Sequence, residues 1–292
     1  DVQAVALPAG KNVRGTSLQG FATWPPVQLY QEALVTTRLT HLAAGGAYIA
    51  AAGVDEHPGT QAMPVIWLWH TDPWRFAGVL SGHGMPITAM AITAGGTTLA
   101  SAADDGTLRL WPVAGGPPRL WRRANPLPVT ALAFSPDGSL LAVGYGDGSI
   151  EVRAVADGAI LAQAPLTGAE PGRLAFVPGP EPRLAVIVDN AVQLWAVEDN
   201  AVRPLATLPA ESGTNTERRI ADVVVSTHGA WLATVGERVQ FLDAATGGLL
   251  HTLAPPAGRG GYFVQAALSP DGLYLALLDT NGLLQLWAIP AA

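Results

Sequence analysis

Cysteine is absent from all 292 residues, which removes disulfides, thiolate nucleophiles and cysteine-ligated metals together. Lysine is nearly absent too: Lys11 stands beside fifteen arginines. Charged residues reach only 13%, about half the usual share, and the formal net charge is −7. A nucleic-acid-binding domain carries a net basic face, so this balance argues against a nucleic-acid partner. No apolar run approaches the roughly 18 to 20 residues that a membrane helix needs. The expectation is therefore no transmembrane segment, with membrane association only through a partner. The chain starts at Asp1 without Met and without a signal-like apolar stretch. Together with the missing cysteine this leans towards an exported protein, with a cytoplasmic one as the alternative.

What is present is apolar and turn-rich. Apolar residues make up 49% of the chain, with 33 Gly and 24 Pro, a composition suited to many short strands joined by tight turns. Trp69, Trp111, Arg153 and Trp195 follow one another at intervals of 42, and Leu242 and Trp287 continue at 47 and 45. A period in the low forties marks one supersecondary unit copied along the chain. Each copy must bury its apolar face against its neighbours.

The clearest copy runs from Leu80-Ser81-Gly82-His83 through Ile87–Ile92 and a Gly95-Gly96 turn. It continues through Thr98–Ala103 and Asp104-Asp105-Gly106 to Thr107–Trp111. These are three runs of about six residues punctuated by Gly and Asp, the pattern of antiparallel strands joined by hairpins. Arg119-Leu120-Trp121 supplies a fourth, outer run. Ser135-Pro136-Asp137-Gly138 recurs as Ser269-Pro270-Asp271-Gly272. Its proline presets φ, and its glycine supplies the positive φ that follows.

The segment from Gly82 to Trp111 resembles a repeat of the WD-repeat β-propeller family, with its Gly-His start and Trp end. The resemblance extends over residues 35 to 289. It implies an all-β fold, a single β-propeller of four-stranded antiparallel blades. It also implies that His83, Ser101, Asp105 and Trp111 form the hydrogen-bonded tetrad that ties a blade together. Trp111 is followed by Pro112, so the name-giving Trp-Asp pair is missing, and Arg153 replaces tryptophan in the third copy. Inner runs at 35–43, 87–93, 129–135, 173–178, 220–227 and 263–269 predict six blades. The alternative is seven, with residues 1–30 adding a degenerate one. The expected blades span 35–82, 87–123, 129–166, 173–209, 220–255 and 263–289. Residues 27–34 complete the last by ring closure, and 1–26 form an N-terminal arm.

No catalytic constellation emerges. The six histidines lack the spacing of a zinc protease, and no nucleophile elbow is present. Asp104-Asp105-Gly106 and Asp147-Gly148 sit at hairpin turns, where Asp-Gly is favoured for its conformation. Asp55-Glu56-His57 falls in an insertion that reads as a partner-binding or solvated loop, with a metal site as the alternative. No cofactor is expected. Trp69, Trp111, Trp195 and Trp287 read as core between blades. Trp24, ahead of Pro25-Pro26, reads as an anchor for the arm.

Loops entering the inner strands share a rim with those between second and third strands. That rim gathers Arg122, Arg123, Arg218, Arg219, Arg259, Tyr262, Asp55 and Glu56. Arginine and tyrosine are enriched at interface hot spots. The reading is a non-enzymatic interaction scaffold, an accessory or structural subunit of a larger assembly, binding proteins through this rim and the arm. The alternative is an enzyme or a carbohydrate- or small-molecule-binding module with its site at the central channel. There Arg38, His41, Arg173 and Asp222 are the polar exceptions on otherwise apolar inner strands.

Overall fold

The computed structural model describes residues 4–7, 38–55, 63–71, 73–123, 126–165, 170–189, 191–198, 200–209, 220–253, 262–269, 272–280 and 284–289. Among them there are strands and turns and no helix, so none is long and apolar enough to cross a membrane.

The strands build a propeller-like arrangement of four-stranded antiparallel sheets. Four sheets are separate, and a fifth holds eight strands. The second sheet shows the local logic. Ile87–Ile92, Thr98–Ala103, Leu108–Pro112 and Arg119–Trp121 pair in sequence order. Within the eight-stranded sheet, Val129–Phe134 to Ile160–Pro165 form one antiparallel quartet and Arg173–Val177 to Asn200–Pro209 another. The two meet where Ala162 and Gln163 pair in parallel with Asn200 and Ala201. The 42-residue spacing predicts separate blades and gives no hint of this joint, because outer strands are the least regular part of each copy.

The last sheet corrects one expectation. Its outer strand is Ala4–Leu7, paired antiparallel with Leu284–Ala288. An N-terminal segment does complete this sheet, but it lies in the stretch assigned to the arm. Residues 27–34, expected in that place, lie outside the described residues, as does Trp24. The physical reason is modest: four residues suffice to pair an edge strand, so a run as short as Ala-Val-Ala-Leu serves.

Most of the core lies between sheets. Ala50, Ile66 and Leu68 of the first sheet pack with Leu99 and Trp111 of the second. Leu108 and Leu110 pack with Leu132, Leu141 and Val143 of the third quartet. The third and fourth quartets share Ile150, Val152, Leu184 and Trp195, and the fourth and fifth share Leu194, Leu232 and Leu242. Consecutive inner strands from Arg38–Gly45 to Phe263–Leu268 lie side by side. The recurring position is thus a packing post: Trp69, Trp111 and Trp195 are buried.

Neighbouring sheets also meet through their turns. Gly229, with φ of 69°, closes the turn after Asp222–Val225. A Cβ added there would stand 1.8 Å from the Pro178 carbonyl oxygen of the preceding quartet. Both the left-handed backbone and the contact demand glycine. Gly229→Ala should therefore cost about 2–4 kcal/mol in urea unfolding. Gly84→Ala, which meets nothing within 4 Å, serves as the control and should stay near wild type.

Candidate functional site: the rim and the buried pairs beneath it

In the second sheet, Trp111 Nε1 donates to Ser101 Oγ at 2.8 Å, and Ser101 Oγ lies 2.7 Å from His83 Nε2. His83 Nδ1 lies 3.2 Å from Thr107 Oγ1, which donates to Asp105 Oδ1 at 2.7 Å. Because the Thr107 hydrogen is committed to a carboxylate, the Nδ1 position must be the donor. Nε2 then accepts from Ser101, and a neutral imidazole satisfies the whole chain. Burial, with Arg109 nearby, lowers the His83 pKa to about 4, in keeping with that neutral form. Of the four tetrad residues, His83, Ser101 and Trp111 are joined directly, and Asp105 reaches the histidine through Thr107.

Asp105 also accepts the Thr107 amide at 2.9 Å. Partial burial works against its ionised form, but the Thr107 hydroxyl and amide hold its carboxyl below the usual range. Asp147 behaves alike, binding the amide and hydroxyl of Ser149. Both acids are therefore engaged in shaping their own hairpins.

The third quartet contains a network that sequence reasoning missed. Glu151 is only 1% exposed. Its Oε2 accepts from Arg153 Nε at 2.9 Å, Arg153 Nη2 at 2.6 Å and the Tyr145 hydroxyl at 2.8 Å. Its Oε1 lies 2.8 Å from Arg123 Nε. The Arg123 guanidinium in turn sits 4.3 Å from the Tyr145 ring centroid. Burial and the Glu151 charge push the Tyr145 phenol up, so it remains a donor. Arg153, the apparent defect in the repeat, is thus half of a buried ion pair.

The same two-residue offset recurs. Trp195 Nε1 donates to Gln193 Oε1, and Trp287 Nε1 to Gln285 Oε1, each at 3.2 Å. Residues i and i−2 share a strand face, so Trp195 and Trp287, like Arg153, each have an acceptor beside them. The signal lay in the sequence at equal spacing: Glu151, Gln193 and Gln285 occupy equivalent places.

At the rim, Arg122 is exposed while Arg123 is held by Glu151 beneath it. Both line a cavity of about 500 Å³ with Asp147, Glu151 and Arg153. Tyr262 is half exposed at the entry to Phe263–Leu268. Asp55 ends the strand Tyr48–Asp55. Glu56, Arg218, Arg219 and Arg259 lie outside the described residues.

Repeated four-stranded sheets packed face to face around inner strands define the β-propeller class. Residues 74–112 match the family described as WD domain, G-beta repeat. Residues 117–177 match the Anaphase-promoting complex subunit 4 WD40 domain. The two matches support the WD-repeat β-propeller family for this chain. No curated protein matches the chain.

Proposed function

We propose that the chain is a non-enzymatic interaction scaffold, an accessory subunit of a larger assembly, built as six blades of which the two sharing the eight-stranded sheet are joined at their outer strands. The blades follow the expected spans, 35–82 to 263–289, except that Ala4–Leu7 completes the last. WD repeats generally mediate protein–protein interaction, and fold analogy alone would be weak support. The observation that carries the reading is the rim cleft of about 500 Å³. Exposed Arg122 lines it beside Arg123, which the Glu151 network holds in place. Side chains held in place before binding lose less entropy on association, and arginine is a frequent hot spot. To the same partner-binding role we assign, from the sequence, Tyr262, Arg218, Arg219, Arg259, Asp55 and Glu56, with Trp24 as the anchor of the arm.

Native mass spectrometry of the protein isolated from its source should show a stoichiometric protein partner. Arg122→Ala should weaken that complex at least about tenfold, as expected of a hot spot, with an unchanged melting curve. A lone chain, or a complex indifferent to Arg122→Ala, overturns the reading.

A further inference from the structure

A second cavity, of about 430 Å³, opens among the inner strands, and its wall is divided by chemistry. Thr40, His41, Arg173 and Gln265 contribute polar groups, and Met90 and Leu132 contribute an apolar side. The division follows from register. Four inner strands carry an irregularity just before His41, Ala89, Ala131 and Gln265, which brings these residues to equivalent places. Alanine at 89 and 131 leaves room where histidine and glutamine occupy the same level elsewhere.

Most polar groups here are already engaged. The hydroxyls of Thr40, Thr88 and Thr130 donate to the carbonyls of Ala52, Ala102 and Pro171. Asp222 is buried, with Oδ1 accepting from Val223 N at 2.9 Å and Oδ2 from Ala266 N at 3.1 Å. Its Oδ1 also lies 3.4 Å from Arg173 Nε. Asp222 thereby orients the arginine without offering itself to the cavity. Arg173 is different: its side chain is 48% exposed, and among the described residues no protein acceptor meets its terminal nitrogens. The positive field is felt across the cavity, where burial and Arg173 lower the His41 pKa.

We propose that this cavity binds a small organic acid, its carboxylate on the terminal nitrogens of Arg173 and its apolar body against Met90 and Leu132. A guanidinium presents paired donors that match a carboxylate. The volume falls within the range of small-molecule sites, roughly 300–1,000 Å³. A cation is disfavoured because Asp222, the one carboxylate nearby among the described residues, already accepts two main-chain hydrogen bonds and pairs with Arg173. The inference is independent of the rim reading, since Arg173→Gln should leave a complex that depends on Arg122 intact.

Hexanoate is the probe, followed through the imidazole NMR signals of His41, assigned with His41→Gln. Saturable shifts are expected with a Kd on the order of 1 mM. Arg173→Gln should weaken binding at least about tenfold, matching the loss of a charge-assisted hydrogen bond. Hexylammonium should not compete, and succinate, which lacks the apolar body, should bind more weakly than hexanoate. The proposal is overturned if hexanoate gives no saturable shift, if Arg173→Gln binds equally well, or if hexylammonium competes. Succinate binding as tightly as hexanoate also overturns it. A capped Leu-Glu-Leu peptide that binds at Arg173 where hexanoate does not would overturn it as well, and would assign the carboxylate to a protein partner.

Discussion

Glu151→Ala should lose about 3–5 kcal/mol of stability, the cost of leaving a buried charge without its partner. Arg153 is 7% exposed; without Glu151 its nearest acceptor is the Gly158 carbonyl at 3.4 Å. The Tyr145 hydroxyl, also buried, would lose its acceptor, adding the desolvation cost of an unmatched polar group. Equilibrium urea unfolding measures the loss. The repeat itself suggests the repair. In the other quartet of the same sheet and in the last sheet, the same pair of positions carries Gln with Trp, joined by one neutral hydrogen bond. Glu151→Gln combined with Arg153→Trp should therefore recover most of the deficit. Arg123, whose side chain is 23% exposed, can turn to water and to Asp147. A double variant as unstable as Glu151→Ala would show that the ion pair is not interchangeable with the Gln–Trp pair.

Acid should weaken the protein through His83. Its folded pKa is about 4, against 6.5 for the ordinary group, so between those values the unfolded chain binds more protons than the folded one. Stability is fully present above pH 6.5 and falls as pH drops through the window to about 4. A difference of that size corresponds to about 3 kcal/mol. His83→Gln, starting from a lower stability, should lack this part of the slope in urea unfolding at stepped pH. His41, also lowered, contributes in the same direction and persists in the variant. Parallel pH profiles for the two proteins would remove His83 as the cause.

The fold was legible because turn chemistry and period agree. Ser135-Pro136-Asp137-Gly138 forms its turn through Gly138 N on the Ser135 carbonyl, with Ser135 Oγ capping Leu140 N. These are local bonds among adjacent residues, so a local pattern suffices to predict them. The Glu151 network was hidden for the opposite reason. Arg123 reaches Glu151 from the connection that follows the preceding sheet's outer strand, and Arg153 looks only like a missing tryptophan. Comparing positions two residues before each post would have exposed it. The edge formed by Ala4–Leu7 was hidden because four apolar residues are too weak a signal beside longer candidates. On the inner strands, position alone picks out His41 and Arg173, which line one cavity, and Asp222, which contacts Arg173. Gln265 was missed because an uncharged amide on a strand attracts no attention. Arg38 opens the strand Arg38–Gly45.

The parallel joint at Ala162–Gln163 and Asn200–Ala201 bears on how the molecule comes apart. Elsewhere, neighbouring sheets are held by side chains and by isolated main-chain bonds between turns and strand ends, such as Gly46 N on the Ala94 carbonyl and Phe263 N on the Gly236 carbonyl. Here two sheets also share main-chain hydrogen bonds at their margins, and two otherwise open edges are closed to foreign strands. The third and fourth quartets should therefore open together, their amides exchanging with solvent as one cooperative block. Separation of neighbouring sheets would then begin elsewhere, leaving this pair as the last part to yield.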